Sequence, residues 1–146
     1  MAKTFRPGLG LRLASAMLKR RVGRGKGPSF MHLLSVRGRK TGKVHTTPVD
    51  VMEVGDRRYI VAPYGVTNWV RNARAAGEVT VSRGIHSEAL RVTEVGPEEA
   101  VPVLRKYIKD IRFTRSYFDA KPDSPDEEIA AEAPKHPVFR LEPQSG

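Results

Sequence analysis

The sequence has no cysteine. This absence excludes disulfide bonds, thiolate metal sites and cysteine nucleophiles within the chain. Long apolar runs are missing too, since no window approaches the roughly 20 apolar residues that a membrane-spanning helix needs. With 146 residues and 39% hydrophobic content, the chain suits one soluble domain whose stability comes from packing.

Acidic residues are almost absent from the first 50 residues. This segment holds 12 of the 26 Lys and Arg residues and one of the 16 acids, Asp50, for a net charge of +11. The rest of the chain has a net charge of −1, so the whole positive excess is N-terminal. Two interpretations stay open: an anionic partner, or a solvated basic face without a specific role.

Residues 1–29 are predicted to form a basic helix and a hinge. Apolar residues recur at helical spacing from Leu9 to Val22, with basic residues around them. The segment is unlike a secretory signal, because Arg12 interrupts its apolar stretch. Residues 23–28 are rich in Gly and Lys and form the predicted hinge. We expect a cytoplasmic protein whose helix contacts the inner face of a membrane peripherally, and we disfavour nucleic acid as the partner.

Residues 30–146 are predicted to form a second unit, a β-rich domain. β-Branched and apolar patterning, interrupted by glycine-containing turns, indicates six strands. The predicted strands are 30–36, 44–54, 57–62, 78–83, 85–95 and 136–141. Mostly antiparallel strands around a few helices indicate an α+β fold built on a small β-barrel.

Short helices are predicted between and after these strands. They cover residues 68–76, 97–112 and 124–133. Thr67 is the predicted N-cap of the first, and Gly77 closes it. Pro102 is expected to bend or delay the second. Ser124 begins a predicted capping box for the third.

The turn after the first strand is the first candidate site. Its sequence, Gly-Arg-Lys-Thr-Gly-Lys at 38–43, brings together three cations, a hydroxyl and glycine-exposed amides. These groups suit a phosphate or a carboxylate. The turn is not a Walker loop, because its spacing differs and it joins two strands. An exposed polar hairpin tip is an equally good interpretation of the turn alone.

Residues C-terminal to this turn add walls to it. Pro48 interrupts a strand and cannot donate a ladder hydrogen bond, which leaves partner groups free to face a ligand. The helix that begins at Asn68 brings N-terminal amides with positive potential. Trp69 is a candidate wall, although a lone tryptophan is more often a core residue.

Several motifs then occur in a fixed order. They are Leu-Leu-Ser-Val-Arg-Gly-Arg-Lys-Thr-Gly at 33–42, Thr-Pro at 47–48, Val-Ala at 61–62, Asn-Trp at 68–69, Asn72, Val-Thr-Val at 79–81 and Pro-Val-Phe at 137–139. Over roughly residues 30–142 this set resembles the deazaflavin-dependent nitroreductases. The resemblance implies a split β-barrel related to FMN-binding oxidases. It also implies coenzyme F420, a deazaflavin with a phosphate and an oligoglutamate tail, as hydride carrier, with FMN as the alternative.

The resemblance places a cofactor site between Gly38 and Asn72. It implies that Arg39, Lys40 and Thr41 hold the phosphate and the start of the tail. The ring would lie along three walls: His45, Thr46, Thr47, Pro48, Val49 and Asp50; Val61, Ala62, Pro63 and Tyr64; and Asn68, Trp69, Val70, Arg71 and Asn72. Family members often carry an aromatic residue at the position of Asp50 and a small hydroxyl residue near Pro63.

A tyrosine from the C-terminal helical region contacts the deazaflavin in several such nitroreductases. Tyr117 is the nearest candidate catalytic residue here, and packing between helices is its alternative role. Tyr107 lies on the apolar face of a predicted helix and is expected in the core. The histidines at 32, 45, 86 and 136 lack zinc-ligand spacing, so no metal is expected.

The implied activity is hydride transfer from reduced F420 to an electron-poor small molecule. A quinone, a nitro compound or an activated alkene fits this description, and the cofactor supplies the reactivity. Two alternatives remain: a non-catalytic binder of F420 or of an anionic lipid-like ligand, and an FMN-dependent reductase of the same fold. Both a monomer and a homodimer are compatible with the sequence.

Overall fold

The computed structural model describes residues 19, 20, 22 and 30–144. The helix and hinge predicted for residues 1–29 therefore lie almost wholly outside the described residues, and the division into two units stays a prediction. Of this segment, Val22 is fully buried. Lys19 donates from Nζ to the backbone oxygen of Thr46 at 3.3 Å.

Six antiparallel strands close into a barrel. They are β1 (Met31–Arg37), β2 (Val44–Val54), β3 (Arg57–Val61), β4 (Glu78–Arg83), β5 (His86–Glu94) and β6 (Val138–Pro143). Their order around the barrel is β1-β2-β3-β6-β5-β4, and β4 pairs with β1 to close it. All six predicted strands are confirmed, with ends that differ by at most two residues.

Residues of one strand contribute to two separate hydrophobic cores, because successive side chains point to opposite faces of the sheet. Ile60 and Phe139 lie in one cluster of buried residues, together with Val70 of the first helix. Tyr59 and Val61, the chain neighbours of Ile60, lie in the other cluster. β3 therefore buries both of its faces, which fixes its register.

The helices pack on these two cores. They are α1 (Asn68–Ala76), α2 (Pro97–Asp110), a 3-10 helix (Arg112–Tyr117) and α3 (Asp126–Ala130). Ala73 of α1 lies in the first core, and Tyr107 and Ile108 of α2 lie in the second. Among the described residues no helix is long and apolar enough to cross a membrane.

Three predictions about helix ends need correction. Thr67 occupies the N-cap position of α1 but makes no side-chain cap hydrogen bond. Pro125, not Ser124, is the N-cap of α3, and Ser124 Oγ instead accepts a hydrogen bond from Lys121 N at 2.8 Å. Pro102 does not delay α2, which begins at Pro97 and continues through it to Asp110.

Candidate functional site

A cavity of about 640 Å³ opens beside the β1–β2 turn. Small-molecule sites occupy about 300–1,000 Å³. The lining residues come from β1, β2, β3, α1, the 3-10 helix and the connecting turns: Met31, Gly38, Arg39, Lys40, Thr41, Lys43, His45, Thr47, Pro48, Val49, Asp50, Val61, Pro63, Tyr64, Thr67, Asn68, Trp69, Asn72, Phe113 and Thr114. The cavity thus joins segments that are distant in sequence.

Fourteen of the 18 predicted cofactor-binding residues line this cavity. The other four are Thr46, Ala62, Val70 and Arg71. Thr46 Oγ1 lies 2.9 Å from Ser35 Oγ on the neighbouring strand. Ala62 and Val70 are buried in the barrel core, and Arg71 is exposed. Strand alternation and helix periodicity explain why neighbours of lining residues point elsewhere.

Six lining residues were outside the predicted set: Met31, Gly38, Lys43, Thr67, Phe113 and Thr114. Gly38 and Lys43 belong to the cationic turn that the sequence had already indicated. Phe113 and Thr114 lie in the 3-10 helix, a region for which the sequence predicted the end of a helix near Arg112 and a candidate catalytic residue, Tyr117. The sequence feature that could have indicated this contribution is Phe113, an aromatic residue that does not continue the apolar face of α2. Its side chain is 59% exposed.

The cationic turn is closed by its own backbone. Gly38 N donates to Lys43 O at 2.7 Å, and Gly42 N donates to Gly38 O at 2.9 Å. A β-carbon on Gly38 would lie 2.9 Å from His45 Nε2 and 3.0 Å from Lys43 O, so no larger residue fits without movement. This closure leaves the side chains of Arg39 and Lys40 exposed at the edge of the cavity.

Asn72 anchors the turn to α1. Its Oδ1 accepts one hydrogen bond from the backbone N of Arg39 at 3.1 Å and another from the Arg39 guanidinium at 2.7 Å. Asn72 is only 4% exposed. Because a bond to a charged donor is stronger than a neutral one, this pair fixes the position of the turn and of the guanidinium.

The inner surface of the cavity is mostly apolar. Pro48, Val49 and Val61 line it, and the two valines are buried. Trp69 also lines it and packs on Phe139 with ring centroids 5.8 Å apart. Trp69 therefore combines the two roles proposed from the sequence, since one side of it contacts the core and another faces the cavity.

Asp50 is a buried carboxyl group on this inner surface. It is 6% exposed, and burial raises its pKa from 3.8 to about 6. Tyr107 donates from its hydroxyl to Asp50 Oδ2 at 2.9 Å. Thr114 Oγ1 donates to the Tyr107 hydroxyl at 3.3 Å. Tyr107 is in the core, as predicted, but its hydroxyl also reaches a cavity residue.

Tyr117 does not line the cavity. Its ring packs edge-on against Tyr64, with centroids 5.0 Å apart, and Tyr64 is a lining residue. Burial raises the pKa of Tyr64, and Tyr117 and Asp50 raise it further. Tyr117 therefore contacts the cavity wall from behind, and its catalytic role stays a prediction.

His136 connects the two segments behind that wall. Its Nε2 lies 2.9 Å from Tyr117 O and its Nδ1 lies 3.2 Å from Ala62 O. Burial lowers the pKa of His136, while the Glu132 carboxylate and the two carbonyl oxygens oppose that effect. Within the described part of the chain, no group of three or more His, Asp or Glu side chains can hold a metal ion.

Comparison with solved structures places the barrel among related folds. A protein of unknown function from Agrobacterium tumefaciens is 16% identical, with a TM-score of 0.60 over 99% of this chain, which spans 60% of that protein. An F420-H2 dependent reductase is 20% identical, with a TM-score of 0.56 over 78% of this chain and 95% of its own. A pyridoxamine 5'-phosphate oxidase-related, FMN-binding protein from Nostoc punctiforme is 8% identical, with a TM-score of 0.54 over 95% of this chain and 81% of its own. These likenesses confirm the predicted split β-barrel.

Comparison of sequences identifies the family. None of the curated proteins matches the chain. A family model described as F420H(2)-dependent quinone reductase matches residues 11–119. The match includes the cationic turn and every residue that lines the cavity. Since it spans about three quarters of the sequence, the chain belongs to the F420H(2)-dependent quinone reductase family and is an F420-dependent reductase.

Proposed function

We propose that this F420-dependent reductase transfers a hydride from reduced F420 to a quinone, in the cavity beside the cationic turn. The observation that carries the proposal is the separation of charge and apolar surface. Arg39, Lys40 and Lys43 are exposed along one edge, whereas Val49 and Val61 are buried on the inner side. F420 is divided in the same way, because its planar ring suits the apolar inner side and its anionic tail suits the cations at the edge.

The cofactor fits the residues that are present. Three cations on one turn suit phosphate and carboxylate groups, and the Arg39 guanidinium is held in place by Asn72. The N-terminus of α1, at Asn68, adds positive potential on the same side. Thr41 is the expected hydroxyl donor to the phosphate. Bound in its reduced form, the cofactor supplies the hydride.

The chain's own residues bind, orient and dehydrate the reactants. Trp69 and Pro48 form rigid walls against which a planar ring can lie, since Trp69 is packed on Phe139. Phe113, exposed at the cavity, offers an apolar contact to a second planar molecule. Holding donor and acceptor in one apolar space lowers the entropic cost of their reaction and excludes water.

The first experiment measures cofactor choice and turnover together. We expect F420 to bind at least about tenfold more tightly than FMN, because the tail adds several charge-assisted contacts. Reduced F420 in the complex should then be oxidised on addition of a quinone, followed by absorbance. Tight binding without oxidation by quinones, nitro compounds or activated alkenes would instead support a non-catalytic binder of F420 or of an anionic lipid-like ligand.

A matched pair of variants tests the cationic turn. Lys40→Gln with Lys43→Gln should weaken F420 binding by about tenfold or more, since each lost cation removes an attraction to the tail. Lys109→Gln, on the exposed surface of α2, should leave it unchanged. If only the net charge mattered, Lys109→Gln, which removes one charge instead of two, would lose about half as much binding free energy as the double variant.

The FMN alternative has a specific observation behind it, because a structurally similar protein is described as FMN-binding. FMN carries a phosphate but no glutamate tail. A preference for FMN, unaffected by Lys40→Gln and Lys43→Gln, would favour a flavin-dependent reductase of the same fold.

We also propose that the basic N-terminal segment holds the enzyme at the cytoplasmic face of a membrane, close to lipid-soluble quinones. The support is the net charge of +11 on residues 1–50 and the amphipathic pattern of residues 9–22. Binding to vesicles with anionic lipid should weaken steeply with salt and disappear when the basic residues at positions 3, 6, 12, 20 and 21 are replaced by Gln. F420 binding should persist in this variant, because Lys19 and Val22, which contact the barrel, are kept. Sedimentation of the lipid-free protein, a separate measurement, decides between a monomer and a homodimer.

A further inference from the structure

Asp50 is unusual among the residues that line the cavity. It is the one carboxylic acid among the described lining residues, and it is 94% buried, since its exposed fraction is 6%. It lies in the middle of β2, opposite Met31 of β1. A buried acid on the wall of a reaction cavity needs a physical reason, because an isolated ionised carboxylate is costly there.

Among the described residues, no cation balances the charge of Asp50. The titratable groups that face it are Tyr107 from α2 and Tyr64 from the segment after β3. The described Lys, Arg and His side chains make no ion pair with it, and burial raises its pKa to about 6. Near neutral pH its carboxyl group therefore exists in both protonated and ionised forms.

The two oxygens of Asp50 have different environments. Oδ2 accepts the hydroxyl hydrogen of Tyr107 at 2.9 Å, and Thr114 supports that hydroxyl from the 3-10 helix. Oδ1 is buried and has no hydrogen-bond partner in the described structure. An unsatisfied buried polar atom in a native structure needs an explanation, and a catalytic role on a cavity wall is one that fits its place here.

We propose that Asp50 is the general acid of the reaction, donating a proton from Oδ1 to the acceptor, and that Tyr107 is the positioning residue that holds it. This inference rests on the proposed function. A hydride brings two electrons and one proton to the acceptor, whose carbonyl oxygen then carries negative charge. The O–H bond of Asp50 breaks and a new O–H bond forms at that oxygen, which completes a two-electron, two-proton reduction.

Charge and protons balance over the cycle. Asp50 is left as a carboxylate, which the Tyr107 hydroxyl stabilises at Oδ2. Solvent takes up the single proton that the reduced cofactor loses besides its hydride, and solvent returns one proton to Asp50 after the product leaves. The net reaction consumes one reduced cofactor and one acceptor.

The two tyrosines beside Asp50 are poorer acids. Burial and the Asp50 charge raise the pKa of Tyr107, so its hydroxyl keeps its proton. Burial likewise raises the pKa of Tyr64. His45 is exposed beside the cationic turn, where Gly38 packs against its ring. Asp50 is thus the buried carboxyl group of the cavity wall, and its pKa of about 6 is closer to neutral than the ordinary carboxyl value of 3.8, as efficient general acid catalysis requires.

The test is a single-turnover oxidation of bound reduced F420 by a quinone across a range of pH. In the wild type the rate should fall about tenfold per pH unit above the pKa of Asp50. We call this falling part of the pH–rate profile its alkaline limb. Asp50→Asn should be slower by about 100-fold or more at low pH and should lose this limb. Tyr107→Phe should shift the limb to higher pH, because it removes a hydrogen bond that favours the carboxylate. Asp110→Asn, an exposed acid at the end of α2, is the matched control.

A second readout needs no turnover. Carbon-13 NMR of the cofactor-free protein labelled at aspartate should show a carboxyl that titrates near pH 6, as its raised pKa requires. This signal should be absent in Asp50→Asn and should titrate at higher pH in Tyr107→Phe. F420 affinity, measured in parallel, should change less than about threefold in Asp50→Asn.

The outcomes separate the two proposals. If F420 does not bind the wild type, the proposed function fails. If it binds and Asp50→Asn retains both the wild-type rate and its pH limb, the proton comes from elsewhere and Asp50 is not the acid. If Asp50→Asn does not fold, Tyr107→Phe decides, and an unshifted limb together with an unshifted NMR titration overturns the inference.

Discussion

Asn72 Oδ1 accepts hydrogen bonds from both the backbone and the guanidinium of Arg39, 33 residues earlier in the chain. One amide thereby fixes the cationic turn against α1. The preorganised guanidinium needs little further ordering to bind an anion. Both residues line the cavity in which the sequence predicted the cofactor, and the structure adds how they contact each other.

Asn72→Ala should therefore weaken F420 binding by about tenfold and destabilise the fold by about 1–3 kcal/mol, since a buried polar pair is lost. A double-mutant cycle with Arg39→Ala isolates the coupling. We expect the double variant to lose clearly less F420 affinity than the sum of the two single losses. Additive losses would show that the two side chains act independently.

Gly38→Ala should distort the cationic turn. The new methyl group would lie 2.9 Å from His45 Nε2 and 3.0 Å from Lys43 O, and the backbone oxygen cannot move away cheaply. We expect a stability loss of about 1–3 kcal/mol and weaker F420 binding. Gly96→Ala is the matched control, because its added carbon would have nothing within 4 Å. Its F420 affinity should stay at the wild-type value.

The raised pKa of Asp50 predicts the direction in which the stability of the fold changes with pH. The folded-state pKa of about 6 exceeds the ordinary value of 3.8, so the folded protein binds more protons between these values. The contribution to stability is therefore fully present below about pH 3.8 and is lost as the pH rises through about 6. At higher pH the ionised group costs up to about 3 kcal/mol. Urea unfolding should show Asp50→Asn gaining stability over the wild type as the pH rises, and a constant difference would contradict the raised pKa.

The lowered pKa of His136 should make stability change with pH in the opposite direction. Burial lowers its pKa below the ordinary value of 6.5, so the unfolded chain binds the proton more readily. Its contribution to stability is present above the unfolded pKa and is lost as the pH falls below about 6.5. Unfolding curves of His136→Gln and the wild type should converge as the pH falls through this range. Divergence in acid would mean that Glu132 holds the imidazole in its charged form.

Tyr117→Phe tests the catalytic role predicted from the resemblance. Its ring contact with Tyr64 should survive, and its hydroxyl does not line the cavity. We expect quinone-dependent oxidation to change by less than about threefold. A loss of about 100-fold or more would place the Tyr117 hydroxyl at the reacting atoms and confirm the role predicted from the resemblance.

Local patterns predicted the barrel well. The alternation of Tyr59, Ile60 and Val61 between two cores is the period that makes a strand recognisable in sequence. The cationic turn was likewise visible, because its glycines and cations are adjacent in the chain. In contrast, the predicted start of α3 was misplaced, since Ser124 bonds to the preceding turn and Pro125 takes the N-cap position.

Long-range contacts set the limit of prediction. Asp50 and Tyr107 are 57 residues apart, and nothing in the pattern of either segment indicates their hydrogen bond. Thr114 and Phe113 reach the cavity because the chain turns into a 3-10 helix after Ile111, which apolar spacing does not reveal. The binding walls were therefore predictable, and the buried acid network was not.

The most direct test of the account compares F420 with a deazaflavin that lacks the phosphate and glutamate tail. If the cationic turn holds the tail, F420 should bind about 100-fold more tightly, and Lys40→Gln with Lys43→Gln should remove most of the difference. Equal affinities for the two compounds in the wild-type protein would contradict the central claim that this turn grips the anionic end of the cofactor.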